Sequence, residues 1–252
     1  MILVLAGTKD GRLLAEKLSS MGFEVFASVV TDYGGQLLGE RVRVRIGPFG
    51  DTGLREFIAR RGIRVVVDAT HPFAKDISLK AIEVTRQMGV KYIRYERKES
   101  AREYYTGVIM ARDFEDAAQK AAEFHTIFLT IGSRNLEKFA GLKGMGKKLV
   151  VRVLPTSEVL KKCEQLGFSP GEIIAARGPF SAEMNYLMFR DYGIDAVVSK
   201  ESGPEGGVPE KLEAARRLGI PVILIQRPPL VYPVVVNNME DLLKEMGNDD
   251  GS

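Results

Sequence analysis

Short apolar runs alternate with longer amphipathic stretches along nearly the whole chain, and this alternation limits the fold more than any other feature of the sequence. Met1–Ala6, Glu24–Val30, Val65–Val67 and Tyr92–Tyr95 read as strands, as do Ile127–Ile131, Leu149–Leu154, Ile173–Ala176, Ala196–Val198 and Pro221–Ile225. Helical patterns lie between them, such as one carrying Leu13, Leu14 and Leu18 and one running from Ala74 to Met88. Strand–helix alternation of this kind builds parallel sheets covered by helices on both faces. One segment, Arg41-Val42-Arg43-Val44-Arg45, alternates with period two and places three arginines on one face. It reads as a solvated edge.

The plan occurs twice. Gly47-Pro48-Phe49 and Gly62-Ile63 recur as Gly178-Pro179-Phe180 and Gly193-Ile194 with the same internal spacing. Gly89-Val90 and Arg97 recur as Gly219-Ile220 and Arg227, and Phe114-Glu115-Asp116 as Met239-Glu240-Asp241. An internal duplication follows, with repeat units at about 1–124 and 125–252. The expected architecture is α/β: two Rossmann-like parallel-sheet domains, residues 1–106 and 107–252, facing each other across a cleft. Repeat boundaries need not be domain boundaries, and the helix at 113–123 or the tail helix can pack on the opposite half.

Composition excludes several classes. One cysteine, Cys163, allows no internal disulfide, and two histidines with one cysteine cannot build a conventional zinc site. The first apolar run is too short for a signal peptide. No apolar stretch approaches the roughly 20 residues that span a bilayer. A net charge of +3 is mild and falls short of a nucleic-acid footprint. It suits an acidic small molecule equally well. The expectation is a cytoplasmic protein with no membrane or nucleic-acid partner, a monomer or small homo-oligomer. The segment Arg97 to Tyr105 reads as a solvated linker.

In open parallel sheets ligands bind beyond the carboxyl ends of strands, and four loops there carry suitable chemistry. Gly7-Thr8-Lys9-Asp10-Gly11 joins a strand to a helix, where backbone N–H groups favour an anion. It is not the G-x-G-x-x-G fingerprint, but Asp32 stands at the end of the next strand, where a ribose-binding acid belongs. Asp68-Ala69-Thr70-His71-Pro72-Phe73 carries one of the two histidines. Gly132-Ser133-Arg134-Asn135 offers a hydroxyl and a guanidinium, and reads as opening a helix. Lys200-Glu201-Ser202-Gly203-Pro204-Glu205-Gly206-Gly207 combines a lysine, a serine and three glycines at a helix start, a set suited to phosphate or carboxylate. By the duplication, the Asp68 and Lys200 loops correspond, so His71 and Ser202 are expected to line one crevice. Gly141–Lys147 resembles a P-loop but precedes a strand and lacks the Ser or Thr. No Tyr–Lys pair of short-chain dehydrogenases and no elbow-placed Ser-His-Asp set is present.

The chain resembles the precorrin-6A reductase family of cobalamin biosynthesis. The resemblance rests on Gly7-Thr8-Lys9-Asp10-Gly11-Arg12, Asp68-Ala69-Thr70-His71-Pro72-Phe73-Ala74 with Ile77-Ser78, and Tyr92-Ile93-Arg94 through Arg97. It continues in Thr130-Ile131-Gly132-Ser133-Arg134-Asn135, Arg152-Val153-Leu154-Pro155 and Arg177-Gly178-Pro179-Phe180-Ser181. Lys200-Glu201-Ser202-Gly203 with Gly206-Gly207, Glu210-Lys211 and Ala214-Ala215 completes it. Lys80 departs from the pattern, which usually has Asn there.

The resemblance implies hydride transfer from NADPH or NADH to the precorrin-6A or cobalt-precorrin-6A macrocycle, a polycarboxylate tetrapyrrole. Any cobalt belongs to the substrate. It implies that Gly7, Thr8, Lys9, Asp10, Gly11, Asp32, Ser133, Arg134, Lys200, Glu201, Ser202, Gly203, Gly206 and Gly207 hold the dinucleotide. Asp68, Thr70, His71, Pro72, Phe73, Ser78 and Arg177 form the substrate side, with His71 the candidate proton donor by its titration range. The alternatives are a non-catalytic two-domain nucleotide or ligand sensor and another nicotinamide-dependent reductase on the same scaffold.

Overall fold

The structure, a computed structural model, describes residues 1–96 and 106–247. Two compact units emerge, Met1–Ser100 with Pro229–Ser252, and Ala101–Pro228. The first unit runs through β1 (Ile2–Leu5), α1 (Lys9–Ser20), β2 (Val25–Val29), α2 (Asp32–Gln36), β3 (Arg43–Ile46), α3 (Gly53–Arg61), β4 (Val65–Asp68), α4 (Lys75–Met88) and β5 (Lys91–Tyr95). The second runs through β6 (Val108–Ala111), α5 (Phe114–Ala121), β7 (Thr126–Leu129), α6 (Glu137–Ala140), β8 (Lys148–Val153), α7 (Ser157–Gln165), β9 (Ile173–Ala175), α8 (Ala182–Asp191), β10 (Ala196–Lys200), α9 (Val208–Leu218) and β11 (Val222–Ile225). The chain then returns to the first unit as β12 (Val235–Val236) and α10 (Met239–Gly247).

Each unit holds one six-stranded sheet, in the orders β12-β5-β4-β1-β2-β3 and β6-β11-β10-β7-β8-β9. The pairings are parallel throughout. The two orders match strand for strand, as a duplication requires, with one exchange. β6 closes the first repeat yet pairs with β11, Val108 against Val222, while β12 closes the second and pairs with β5, Val235 against Arg94. The helices that follow travel with them: Met239, Leu243 and Met246 of α10 pack on the first unit's core. The division therefore differs from a cut at 106/107. Residues 229–247 join the first unit instead of the second, because β12 pairs with β5 and α10 packs on the core beside it. The linker read at 97–105, with Arg97, lies outside the described residues.

The core explains the sequence pattern. β1, β4, β7 and β11 are buried at every position. On one face of the first sheet Val4, Leu14, Leu18 and Val67 pack together, and on the other Leu3, Leu54, Ile58, Val66 and Ala81. In the second unit Phe128 meets Phe189 edge-on, with ring centroids 5.0 Å apart. β3 is an edge strand, and its arginines serve as edge furniture. Arg43 pairs with Glu24, and Arg45 stacks over Phe49 at 3.6 Å. The repeated glycines end helices: Gly62, Gly89, Gly193 and Gly219 have φ of 58, 65, 62 and 68°, where a side chain is strained.

Candidate active site

In both sheets the strand order reverses beside the first strand of the repeat, between β1 and β4 and between β7 and β10. A crevice for ligands opens at such a switch point. In the first unit the flanking loops are Gly7–Gly11 and Asp68–Phe73, and they touch. Thr8 accepts from Gly11 N at 3.0 Å, capping α1, and its hydroxyl donates to Ala69 O at 2.9 Å. Gly11 is required by packing: a Cβ there would stand 2.9 Å from Ala6 Cα and 3.0 Å from Ala69 O. Gly7 and Lys9 are exposed at the mouth.

Asp68 ends β4 fully buried and anchors the His71 loop from below. Its Oδ1 accepts from Thr70 N at 3.0 Å, Thr70 Oγ1 at 2.7 Å and Arg94 Nη1 at 3.0 Å. Its Oδ2 accepts from Ser78 Oγ and Tyr92 OH, both at 2.6 Å. Burial pushes the Asp68 carboxyl up, but the Arg94 charge and the three hydroxyls outweigh it and hold it below the usual carboxylate range. Burial likewise pulls the Arg94 guanidinium down, and Asp68 and Glu96 more than restore it. Burial and then the Asp68 charge push the Tyr92 phenol up, so it stays protonated. Tyr232, from the returning C-terminal segment, lies 5.1 Å from the Arg94 guanidinium. Asp68 and Ser78 thus act through the loop they hold, since both are sealed from solvent.

His71, Pro72 and Phe73 are half-buried above this network. His71 Nδ1 accepts from Phe73 N at 3.2 Å, an assignment by hydrogen-bond geometry that puts the proton of the neutral ring on Nε2. Asp32 opens α2, exposed at the end of β2.

In the second unit the flanking loops are Gly132–Asn135 and Lys200–Gly207. The expected helix at Gly132–Asn135 does not start there. Gly132 has φ 75°, residues 134–136 form a turn that drives Leu136 into the core, and α6 begins at Glu137 with only 4 residues. Ser133 is half-buried and Arg134 exposed, without a helix dipole of consequence behind them. The Lys200 loop does lead into a helix, α9. Gly203 has φ 73° and Gly207 φ 67°, and a Cβ on Gly206 would fall 1.7 Å from Ser202 Oγ. Ser202 N donates to Lys200 O at 2.8 Å, and Arg227 Nε to Glu201 O at 3.1 Å. Lys211, one turn into α9, ties the loop to β10 by donating to Gly206 O at 2.8 Å and Ser199 Oγ at 3.2 Å. Burial, and then Arg134, pulls Lys200 down to about 8. Arg177 is exposed between β9 and α8.

The structure therefore groups the expected residues by unit: Gly7–Gly11 with Asp68–Phe73 and Ser78, and Ser133 and Arg134 with Lys200–Gly207. Tyr92, Arg94, Arg152 and Lys211 stood within the sequence motifs, but neither they nor Tyr232 received a site role from the sequence. Arg94 and Arg152 were visible as charges inside the otherwise apolar stretches Tyr92–Tyr95 and Leu149–Leu154. Nothing local marked Tyr232, since its partner Arg94 is distant in sequence, on the strand that β12 joins.

Comparison with known proteins agrees over the full length. A family model described as precorrin-6x reductase CbiJ/CobK matches residues 1–247. The cobalt-precorrin-6A reductase of Priestia megaterium is 39% identical over 256 residues, covering 100% of both chains. That of Methanocaldococcus jannaschii is 38% identical over 253 residues, covering 98% of each. A solved structure described as CobK precorrin-6A reductase has a TM-score of 0.81 at 28% identity, covering 100% of this chain and 98% of that one. The chain belongs to the precorrin-6x reductase CbiJ/CobK family.

Proposed function

We propose that the chain reduces the precorrin-6A macrocycle to precorrin-6B with NADPH or NADH, and that the cobalt-containing ring is its substrate. Membership of the family makes the chain a nicotinamide-dependent reductase of cobalamin biosynthesis. The cobalt form is favoured because the relatives from Priestia megaterium and Methanocaldococcus jannaschii are named cobalt-precorrin-6A reductases. The observation that carries the residue assignment is the pair of switch-point crevices with unlike chemistry, one glycine-rich with lysine and one bearing His71.

The second unit fits the dinucleotide. A Cβ on Gly206 would strike Ser202 Oγ, so glycine is needed where this loop leads into the N-terminus of α9, a helix end that favours phosphate oxygens. Lys200, Glu201, Ser202, Gly203, Gly206 and Gly207 with Ser133 and Arg134 would hold the phosphates. Gly7, Thr8, Lys9, Asp10 and Gly11 would support the remainder of the cofactor, with Asp32 toward a ribose. When bound, the reduced nicotinamide supplies the hydride.

The protein's own work is positioning and protonation. Asp68 fixes Thr70 through two hydrogen bonds and Arg94 through an ion pair. The backbone that carries His71 thereby has one conformation, which is how a site gains rate from orientation. Thr70, His71, Pro72 and Phe73 face the substrate, and Arg177 supplies a charge for a carboxylate. His71 Nε2 holds the proton that the reduced carbon framework requires.

The test is anaerobic turnover with metal-free and cobalt-containing precorrin-6A and both cofactors, following loss of nicotinamide absorbance. Oxidation dependent on the cobalt ring is expected. Cofactor binding without oxidation by either tetrapyrrole would reject the reductase reading in favour of a ligand sensor.

A further inference from the structure

The second unit carries two buried cations that the roles above do not use. Val151, Leu129 and Val198 are paired across β8, β7 and β10. Arg152, Thr130 and Ser199 come next on each strand and share one level near the strands' carboxyl ends. Arg152 and Lys211 are each 7% exposed. Arg152 donates from Nη1 to Asn185 Oδ1 at 2.8 Å and lies 4.0 Å from the Phe180 ring and 5.5 Å from that of Phe128. Asn185 is itself held by Ser181 O at 2.8 Å, so its oxygen is fixed toward Arg152. Lys211 reaches Ser199 Oγ and Gly206 O.

Among the described residues, no carboxylate lies within ion-pair distance of either cation. Glu210 acts on Lys211 only from a distance, and its own Oε2 is buried without a hydrogen-bond partner. The duplication shows what is missing. The spacing from Gly47-Pro48-Phe49 to Asp68 equals that from Gly178-Pro179-Phe180 to Ser199. In the first unit this position is an acid, and Asp68 neutralises Arg94 at 3.0 Å. In the second unit it is a hydroxyl that accepts from Lys211, with Arg152 two strands over acting on the same lysine. Burying cations without counter-charge is strongly unfavourable, and folds tolerate it where a ligand brings the charge. Among the described residues, Arg152 Nε and Nη2 also have no protein acceptor, and neither is sealed from solvent.

We propose that Arg152 and Lys211 form an oxyanion site in the second unit, in which a ligand phosphate or carboxylate supplies the counter-charge that Asp68 supplies in the first. The planar guanidinium suits either group through paired N–H donors, and the ammonium adds a point charge. Lys200 and Arg134 extend the positive field on the same side. Burial, Arg152 and Lys200 together pull Lys211 down to about 7, which an arriving anion reverses with proton uptake. Resting on the proposed function, the source of the anion is either a dinucleotide phosphate or an acetate or propionate arm of the macrocycle.

The experiment measures thermal unfolding of the full chain with inorganic pyrophosphate or phosphate against sodium chloride at equal ionic strength. The wild type is expected to gain several degrees with pyrophosphate or phosphate only. Lys211→Met and Arg152→Lys weaken the apparent affinity at least tenfold. Ser199→Asp, which installs the missing acid, removes the response while raising the baseline Tm, and so guards against a variant that merely fails to fold. A wild type that responds to phosphate no more than to chloride overturns the site, as does an unchanged response in Ser199→Asp. Competition then names the source. Pyrophosphate displacing NADPH, read by nicotinamide fluorescence, assigns the phosphate, and displacement of uroporphyrin alone assigns the carboxylate. A wild type that shows the phosphate effect but never oxidises nicotinamide sinks the reductase reading and leaves the site standing.

Discussion

Asp68→Asn is the sharpest perturbation the structure offers, because it changes one charge and almost no volume. Asp68 accepts five hydrogen bonds and is the ion-pair partner of Arg94, whose side chain is 1% exposed. The amide keeps one acceptor oxygen and turns an N–H₂ toward donors. Removing one partner of a buried pair costs about 3–5 kcal/mol, mostly from the charge left behind. With total stabilities of about 5–15 kcal/mol, this is a large share of what holds the first unit. Replacing both partners, Asp68→Leu with Arg94→Met, removes the stranded charge, so the double variant should lose at least ~2 kcal/mol less than the sum of its single substitutions.

Urea unfolding followed by far-UV circular dichroism at pH 7 reads these values. The acid limb adds a second reading. Because the folded carboxyl lies below its ordinary value of 3.8, the stabilisation is complete above about pH 4 and fades as pH falls through the lower folded value. The deficit of Asp68→Asn should shrink only in that acid window. A loss under ~1 kcal/mol, or strict additivity in the double variant, would refute the view that this pair carries the loop.

Three further outcomes follow. Gly11→Ala places a methyl against Ala6 Cα and Ala69 O, both backbone, and should destabilise by about 1–3 kcal/mol by overpacking; an unchanged urea midpoint contradicts the contact. Lys211→Met should stabilise the protein by on the order of 2 kcal/mol below pH 7, because the folded ammonium titrates at about 7 against 10.5 when exposed. The unfolded state binds the extra proton between those values, so wild-type stability climbs with pH and the advantage of the variant fades toward pH 10; parallel pH profiles would show that the charge is not strained. His71→Gln should lower kcat about 10²-fold or more and flatten the pH profile of turnover if Nε2 delivers the proton, whereas a kcat within about threefold of wild type leaves solvent as the donor.

What the sequence disclosed and what it hid follow from the range of the interactions concerned. Continuous runs such as Val65–Val67 mark strands buried on both faces by composition alone, and Gly62 and Gly219 mark helix ends because a local φ demands them. The sequence matched Asp68–Phe73 with Lys200–Gly207 and left its contact with Gly7–Gly11 to the fold, while the place of these loops at strand carboxyl ends came with the parallel-sheet rule. The exchange of β6 and β12 did not. Val108–Ala111 and Val235–Val236 are apolar enough to be strands, yet which sheet each joins is settled by edges that local sequence does not describe. Charge balance was the harder loss. Arg94 and Arg152 each stand as an arginine inside a strand that opens on a lysine, and nothing local separates them. Only the fold shows that Asp68, at the end of β4 and one strand over from Arg94, closes the first while Ser199 leaves the second open. The duplication makes that asymmetry meaningful. Two copies of one scaffold keep the same glycines, which serve the backbone, and diverge where an acid became or replaced a hydroxyl. One crevice is thereby preorganised by its own ion pair. The other keeps positive charge that a phosphate or carboxylate can complete, the division of labour that a reductase joining two dissimilar ligands requires.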